Sequence, residues 1–452
     1  MLTPKEKFLF FREVTLEKNL FNPVQSFSRK LRYESAEFIR SVWEEILKNE
    51  IVRKNLSLYF HIPFCKDRRC TYCMYFSKIT HKLELPDAYL NYLLDEFKYF
   101  FHGLKNVPIR SLYVGGGTPS LMTNNQLRSF FNTVNDSVLF DKKAEISVEQ
   151  SFKTTGREKI KILREAGVNR LSFGVQSLEE NVLANVNREP VQISNIYNIL
   201  GLAKKMGFRE LNTDLMIGLP GETDRGIANA VSELIQAGTD TITIYIFRHL
   251  SVHMSENRST RKQDMLKYNK EYIPRILNSI RDKIRQHGWK DTIQDDRTEY
   301  QFFTTENHLN NYDLNGYRTQ PDLKVENSLI GFGHTAFSFA QDFFRYENRN
   351  NNYKFEADNN SYVFDMISGE DRRRIFILDS FSNVGYVDLS EFRDLFGQEF
   401  MDCFSGEIRE INSLSSCNCN NDRFYLPSKD RIEHAAYCKF FWNPKYWEGL
   451  IK

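Results

Sequence analysis

Three cysteines stand within nine residues, Cys65, Cys70 and Cys73, in a C-x4-C-x2-C spacing. Three thiolates on one loop can bind three irons of a [4Fe–4S] cluster and leave the fourth iron open for a ligand. The alternative is a zinc ion bound by the same cysteines and by His61, which precedes Cys65 in the same segment. No second C-x2-C or H-x3-H half lies nearby in the sequence, which favours the cluster over zinc.

The elements that must position this loop alternate between short β-rich segments and helical patterns. In the first helical pattern Leu90, Leu93, Leu94 and Phe97 recur at i, i+3 and i+4. Strands that alternate with helices in this way are typical of parallel βα units. Six strands are predicted, at 56–62, 110–114, 145–149, 170–175, 211–217 and 240–247.

Ligands of parallel α/β folds gather at the carboxyl ends of the strands, and the unusual residues of this chain fall there. The cysteines follow the first strand and a GGGTP segment follows the second. Glu149 ends the third strand, Gln176 follows the fourth, and Asp214 lies within the fifth. A lone GGG is typical of a tight turn, and a lone acidic residue of a helix cap or ion pair. The order and placement of the whole set indicate an active site.

Length and composition limit the class of protein. The chain has 452 residues, which predicts two or three domains, and its net charge is +2. Such a charge gives no global attraction to nucleic acid or anionic lipid, so we expect neither as a partner. No apolar run reaches the length of a membrane span, and the start has no uninterrupted apolar segment like that of a signal peptide. Seven cysteines, an odd number, fit a reducing compartment, so a cytoplasmic location is expected.

The motifs resemble those of the radical S-adenosylmethionine (SAM) superfamily. They are most similar to the branch of oxygen-independent coproporphyrinogen III dehydrogenases, with its two-SAM class C methyltransferase relatives. The likeness covers roughly residues 56–340. It is carried by YFHIPFC (59–65) with the cysteine trio, YVGGGTPS (113–120), LSFGVQSL (171–178), VNRE (186–189), NTDLMIGLPGET (212–223), LNGYRTQ (314–320) and GFGHTAFS (331–338).

The resemblance implies a role for each matching residue. Cys65, Cys70 and Cys73 would bind three irons of a [4Fe–4S] cluster, and SAM would chelate the fourth. Tyr59 and Glu149 would be the catalytic residues, with Tyr59 near the cluster end of the pocket. The other residues implied to contact SAM are Tyr72 at the adenine, the backbone of Gly115, Gly116 and Gly117 at the amino group, and Glu149, Gln176, Arg188 and Asp214 at the ribose and carboxylate. Thr118, directly after the glycines, is also implied to bind SAM. Asn315 and Phe337 would contact a second SAM molecule.

The implied fold is α/β, a partial (β/α)6 TIM-like barrel of radical SAM type. It carries an N-terminal extension and a small, mainly helical C-terminal domain. The predicted division is 1–55 for the extension, 56–250 for the radical SAM core, 251–367 for the substrate and second-SAM region, and 368–452 for a winged-helix-like domain. The remaining cysteines near the C-terminus, Cys403, Cys417, Cys419 and Cys438, are interpreted as free thiols.

Three departures from the dehydrogenase pattern bear on the reaction. The first cysteine gap has four residues where three are usual, Tyr75 replaces a further cysteine, and Asn315 replaces a glutamine. They favour a two-SAM methyltransferase or cyclopropanase reaction on an sp2 carbon of an aromatic or tetrapyrrole substrate. The alternatives are oxidative decarboxylation, as in the coproporphyrinogen dehydrogenase, and a haem chaperone without turnover. The implied cofactors are the [4Fe–4S] cluster and two molecules of SAM. An electron donor such as flavodoxin or ferredoxin and anaerobic operation are also implied.

Overall fold

The computed structural model describes residues 2–18, 32–102, 107–247, 258–291, 300–305, 328–340, 343–428, 430–444 and 447. In chain order the strands are β1 Arg32–Glu34, β2 Leu56–Ile62, β3 Phe64–Lys66, β4 Lys78–Thr80, β5 Pro108–Gly116, β6 Leu139–Gln150, β7 Arg170–Gln176, β8 Glu210–Ile217, β9 Thr241–Ile246, β10 Trp289–Asp291, β11 Tyr300–Thr305, β12 Ser328–Phe332, β13 Phe337–Ala340, β14 Phe344–Asn348, β15 Tyr362–Met366, β16 Val387–Asp388, β17 Asn418–Asn420 and β18 Arg423–Tyr425. All six strands predicted from the sequence are present.

Helices fill the intervals between the strands, as the apolar periodicity predicts. They are α1 Pro4–Lys18, α2 Ala36–Ile46, α3 Glu50–Lys54, α4 Asp87–Phe101, α5 Asn124–Ser137, α6 Arg157–Glu165, α7 Glu180–Asn185, α8 Ile193–Lys205, α9 Asp224–Ala237, α10 Arg258–Lys267 and α11 Ile273–Gln286, with a π-helical turn at Tyr268–Tyr272. Gly167 and Gly207, with φ of 92° and 76°, follow the ends of α6 and α8. Both therefore end their helices in the left-handed conformation expected of such glycines.

The six predicted strands are neighbours in one large sheet, in the order β2-β5-β6-β7-β8-β9, and every adjacent pair is parallel. Strand β2 is buried along its whole length, as expected when both faces of a parallel sheet are covered. The pairing aligns His61 with Gly115 across β2 and β5. It therefore brings the carboxyl ends of these two strands to the same edge. This arrangement confirms the partial (β/α)6 barrel of radical SAM type.

Further strands extend the sheet on both sides. Strand β12 adds in parallel beside β2, and antiparallel β13, β14, β15 and β1 follow it. On the other side β11 and β10 continue from β9. The N-terminal segment, which carries few strand signals, thus contributes one short strand. Arg32–Glu34 takes its place by pairing with Tyr362–Phe364, far along the chain.

A second apolar core lies in the C-terminal part, as expected for a small, mainly helical region. It combines the helices Gly369–Asn383, Leu389–Phe396, Phe400–Cys403, Ser405–Asn412 and Arg431–Cys438 with the small sheet β16-β18-β17. Helix α1 completes this core, because the ring of Phe11 packs edge-on against Phe440, Trp442 and Trp447. Among the described residues no helix is both long enough and apolar enough to cross a membrane.

Candidate functional site

The cysteine loop, defined here as residues 65–77, leaves the carboxyl end of β2 and returns through β4. Cys65 lies on β3, which pairs in parallel with β4. The Arg69 guanidinium donates to the carbonyl oxygens of Cys73 and Tyr75, at 3.0 and 3.2 Å. Asp67 has a φ of 60°, a left-handed conformation that is uncommon for a residue other than glycine. This turn lies between Cys65 and Cys70, which are separated by four residues where three are usual.

The three thiols are half-buried and electrostatically coupled. Burial raises the pKa of Cys65 and of Cys73, and the neighbouring thiols raise both further. The described residues contain no group of three or more Cys, His, Asp or Glu side chains already arranged to hold a metal ion. Three free thiols on one loop nevertheless supply the donor set that a [4Fe–4S] cluster requires.

His61, the fourth ligand in the zinc interpretation, already has partners for both ring nitrogens. Its Nδ1 lies 2.6 Å from the Tyr59 hydroxyl, and its Nε2 lies 3.3 Å from the carbonyl oxygen of Phe76. Burial lowers the pKa of His61 to about 4, so the ring is neutral. His61 therefore anchors the end of the cysteine loop. This role weighs against a Cys3His zinc site.

Arg188 links the cysteine loop to the end of β7. Its Nη1 lies 3.7 Å from the Cys70 sulfur and donates to the Tyr72 hydroxyl at 2.9 Å, and its Nη2 donates to the Gly174 carbonyl. Burial works against the charge of Arg188, but the adjacent Tyr72 and Cys70 raise its pKa. A buried cation thus lies beside a cysteine of the trio, and Arg188 is one of the residues that the resemblance implies at the ribose and carboxylate of SAM.

The glycine run is packed too tightly for any other residue. A Cβ on Gly116, whose φ is 113°, would lie 2.6 Å from Cε1 of His61, and one on Gly117 would lie 2.5 Å from the carbonyl oxygen of Phe64. The Gly117 N–H donates to the Ile62 carbonyl at 2.8 Å. The run is therefore held by the protein itself. The Thr118 side chain, directly after it, hydrogen-bonds the thiol of Cys65.

Glu149 ends β6 beside this glycine run. It accepts hydrogen bonds from the Tyr113 hydroxyl at 2.6 Å and from the Gly116 N–H at 3.0 Å. Burial raises the pKa of Glu149 to about 7, and the nearby carboxylate of Asp214 contributes to the increase. A carboxyl group with such a pKa can gain or lose a proton near neutral pH.

Gln176 and Asp214 complete the edge on β7 and β8. The Asp214 carboxylate accepts from Asn212 Nδ2 at 2.8 Å and from Ser172 Oγ at 3.3 Å. Gln176 has a φ of 71°, and its Oε1 is buried without a hydrogen-bond partner. An unpartnered buried acceptor is uncommon and needs an explanation. A bound molecule with a hydroxyl or ammonium donor would satisfy it, so the residues fit a polar ligand such as SAM.

The remaining predicted residues lie near the same edge or outside the described residues. The Tyr59 ring is buried against Leu329 and Ala336, while the Phe337 ring is 38% exposed at the start of β13. Asn315, the other predicted second-SAM residue, lies outside the described residues. The structure therefore brings the cysteine trio, Tyr72, Gly115–Gly117, Thr118, Glu149, Gln176, Arg188 and Asp214 to one edge of the sheet.

Two buried polar groups lie near the site: Glu96, which the sequence analysis missed, and His334, which the sequence suggests as a polar pocket or core residue. Glu96 on α4 is fully buried and accepts from Tyr362 Oη, Asn348 Nδ2 and the Gly333 N–H, at 2.5, 2.7 and 2.8 Å. His334 follows Gly333, and its ring meets Phe76 of the cysteine loop edge-on with centroids 4.7 Å apart. His334 lies in the GFGHTAFS motif, which was a signal. The spacing of Glu96 puts it on the side of α4 that carries the apolar stripe, but no local signal indicates its distant hydrogen-bond partners.

Comparison with known proteins identifies the family that part of this chain resembles. Residues 59–234 match the radical SAM superfamily. The heme chaperone HemW of Bacillus subtilis is 33% identical over 190 residues, 42% of this chain and 49% of that protein. The oxygen-independent coproporphyrinogen III oxidase of Escherichia coli K12 is 28% identical over 313 residues, 68% of this chain and 66% of that protein. This chain thus spans about half of HemW and just under two thirds of the oxidase.

A solved structure shares the fold over nearly the whole chain. The structure titled coproporphyrinogen III oxidase (HemN) from Escherichia coli superposes with a TM-score of 0.69 and 21% identity, over 91% of this chain and 94% of that one. The structural similarity therefore extends beyond residues 59–234 to the flanking strands and the C-terminal helices. Radical SAM proteins use a [4Fe–4S] cluster and SAM.

Proposed function

Because residues 59–234 form a radical SAM domain, we propose that this chain is an enzyme that reductively cleaves SAM at a [4Fe–4S] cluster bound by Cys65, Cys70 and Cys73. The observation that carries the proposal is the juxtaposition of three free thiols, a buried Arg188 beside Cys70, and the unpartnered Oε1 of Gln176. When bound, the cluster would supply the electron that splits SAM into methionine and a 5′-deoxyadenosyl radical.

The protein's own groups would bind and orient SAM. SAM carries a carboxylate, an ammonium and ribose hydroxyls, and Arg188 supplies a cation for the carboxylate. Oxygen acceptors of Gln176, Glu149 and Asp214 would receive the ammonium and hydroxyl donors, as would carbonyl groups of Gly115–Gly117. The Tyr72 ring, which packs beside Val186 and Leu219, would lie against the adenine. The tight packing of the glycine run fixes these acceptors before SAM arrives.

We further propose that the radical acts on an aromatic or tetrapyrrole substrate, most simply in a two-SAM methyl transfer or cyclopropanation at an sp2 carbon. The exposed ring of Phe337 at the start of β13 supports a ligand there, as a second SAM requires. Tyr75, which is 61% exposed, occupies the position of the dehydrogenase's further cysteine and supports a different reaction. Oxidative decarboxylation is the alternative that the oxidase relatives support. A one-electron donor and oxygen-free conditions are part of either reaction.

The test is reconstitution of the protein with iron and sulfide under anaerobic conditions, followed by SAM and dithionite. We expect cluster absorbance and 5′-deoxyadenosine, detected by mass spectrometry. Both should be lost in Cys70→Ala and kept in Cys419→Ala, a matched control because Cys419 is exposed on β17 of the C-terminal sheet. S-adenosylhomocysteine formed with substrate present would assign methyl transfer. A reconstituted protein that binds no cluster and forms no deoxyadenosine would refute the proposal.

A second candidate function is heme binding without turnover, which is favoured by the 33% identity to the protein named heme chaperone HemW. Titration of the reconstituted protein with heme separates the two functions. A saturable change in the heme absorbance without any deoxyadenosine would support the chaperone. Deoxyadenosine formation that heme leaves unchanged would support the enzyme.

A further inference from the structure

The cysteine loop and its surroundings carry much more positive charge than the chain as a whole. Between Cys65 and Lys82 there are five Lys or Arg residues and one acidic residue, Asp67, whereas the whole chain has 61 basic and 59 acidic residues. The basic rim is defined here as Lys66, Arg68, Arg69, Lys82 and Lys153. Charge of one sign is therefore concentrated at the carboxyl edge of the sheet.

Three carboxylates pair with cations of the rim, and one of them, Glu84, pairs with Lys82 at 3.3 Å. Glu189 pairs with Arg68 at 3.2 Å and with Lys153, and these cations together with Lys66 lower its pKa. Asp67 pairs with Lys66 and, at 3.1 Å, with His81. The five cations of the rim face three carboxylates, those of Asp67, Glu84 and Glu189, so the rim keeps a net positive charge of two. The Arg69 guanidinium adds to this charge while it donates to loop carbonyls.

The rim surrounds an apolar tip. Met74, between the last cysteine and β4, is 56% exposed, and Phe76 is 38% exposed. Tyr75, which interacts electrostatically with Tyr245 on β9, faces the predicted site and is not counted in the tip. An apolar centre with a charged border is the usual composition of a protein interface. A small acidic substrate would require the charges inside a pocket, whereas these side chains lie on the outer surface. Lys82, for example, is 77% exposed.

We propose that the basic rim and the apolar tip form the docking surface for an acidic, one-electron donor protein. This inference rests on the proposed function, because SAM cleavage there requires an electron from outside the protein. The donor would be oxidised by one electron and the [4Fe–4S]2+ cluster reduced by one electron to [4Fe–4S]+, with no bond formed or broken. The donor thus approaches through the loop that carries the cluster's ligands, which keeps the path of the electron short.

The experiment compares the intact reconstituted protein with R68E/K82E, which reverses two charges of the rim. The matched control is K142E/K143E, at two exposed positions near the amino end of β6, the opposite edge of the sheet. Deoxyadenosine formation is measured with reduced flavodoxin, chosen for its net negative charge, and separately with dithionite, which needs no docking surface.

With flavodoxin at low salt we expect R68E/K82E to need about tenfold more donor for half its maximal rate, since electrostatic steering changes association rates by about 10- to 1,000-fold. The difference should shrink as salt shortens the range of the interaction. K142E/K143E should behave like the unmodified protein, and all three should react equally with dithionite. If R68E/K82E also slows the dithionite reaction, we replace this variant with K82E/K153E in the comparison. Both substitutions of K82E/K153E lie outside the cysteine loop.

If the rim variants and the control need the same flavodoxin concentration for half their maximal rate, the proposed docking surface is refuted, while the proposed function stands. An equal loss in the rim variants and in K142E/K143E would overturn it as well, because the effect would then follow net charge. Failure of dithionite to yield deoxyadenosine in the unmodified protein would refute the proposed function itself. The two failures are therefore distinguishable.

Discussion

Replacement of Glu96 by glutamine should stabilise the protein at alkaline pH and change little at acidic pH. The carboxyl group is fully buried on α4, and burial outweighs its hydrogen bonds, so its pKa rises from the ordinary 4.5 to about 7. The folded protein therefore holds a proton on Glu96 at pH values where the unfolded chain has released it. Stability falls as the pH rises from 4.5 to 7, because the unfolded chain gains free energy by ionising Glu96 while the folded state keeps it protonated.

The size of the effect follows from the pKa difference. Each pKa unit corresponds to 1.36 kcal/mol, so ionisation of Glu96 costs about 3 kcal/mol in total, most of it between pH 5 and pH 8. A neutral glutamine resembles the protonated acid in size and charge. We therefore expect Glu96→Gln to exceed the free energy of unfolding of the unmodified protein by no more than about 1 kcal/mol at pH 5 and by about 3 kcal/mol at pH 8.

Urea unfolding followed by tryptophan emission is the measurement, because buried Trp43 reports on this part of the fold. Its indole N–H donates to Tyr346 Oη at 3.0 Å. The Tyr346 ring packs edge-on against Tyr362, whose hydroxyl donates a hydrogen bond to Glu96. Glu158→Gln, an exposed position on α6, is the control for removal of a carboxylate. A stability difference between Glu96→Gln and the unmodified protein that is the same at both pH values would refute this reasoning.

Three further predictions concern the edge of the sheet. Arg188→Lys should weaken SAM binding about 10- to 100-fold, since a charge-assisted hydrogen bond contributes about 1.5–3 kcal/mol; undiminished affinity in anaerobic calorimetry would contradict this. Gln176→Leu should weaken SAM binding without lowering the unfolding midpoint, because the lost Oε1 has no partner; a lower midpoint would contradict it. Gly116→Ala should lower the melting temperature, owing to the close contact with His61. Gly201→Ala in α8, where a Cβ meets no atom within 4 Å, should raise it, by up to about 1 kcal/mol of stability. Equal melting temperatures would refute the steric argument.

The sequence predicted the parallel part of the fold well because its signals are local. Segments such as 56–62 and 211–217 are runs of strand-forming residues, and each is followed by a helical apolar stripe. The carboxyl edge of the strands then follows from topology alone. Glu149, Gln176 and Asp214 could therefore be placed together from their positions in the chain.

The parts that could not be predicted depend on partners distant in the sequence. Arg32–Glu34 is a strand only because Tyr362–Phe364 lies beside it. Glu96 belongs by its spacing to the side of α4 that carries the apolar stripe, yet its hydrogen-bond partners stand more than 200 residues away. The part played by His61 in fixing the cysteine loop likewise depends on a contact with the carbonyl of Phe76, which residue types do not encode.

The packing of α1 into the C-terminal core has a consequence for synthesis of the protein. Phe11 leaves the ribosome before Trp442, its neighbour in the folded state, which follows about 430 residues later. At about 5–20 residues per second, translation keeps them apart for roughly 20–90 s. During that time the apolar face of α1 has no native partner, although the parallel sheet can already assemble. A chaperone that binds short apolar helices would therefore find its target in α1.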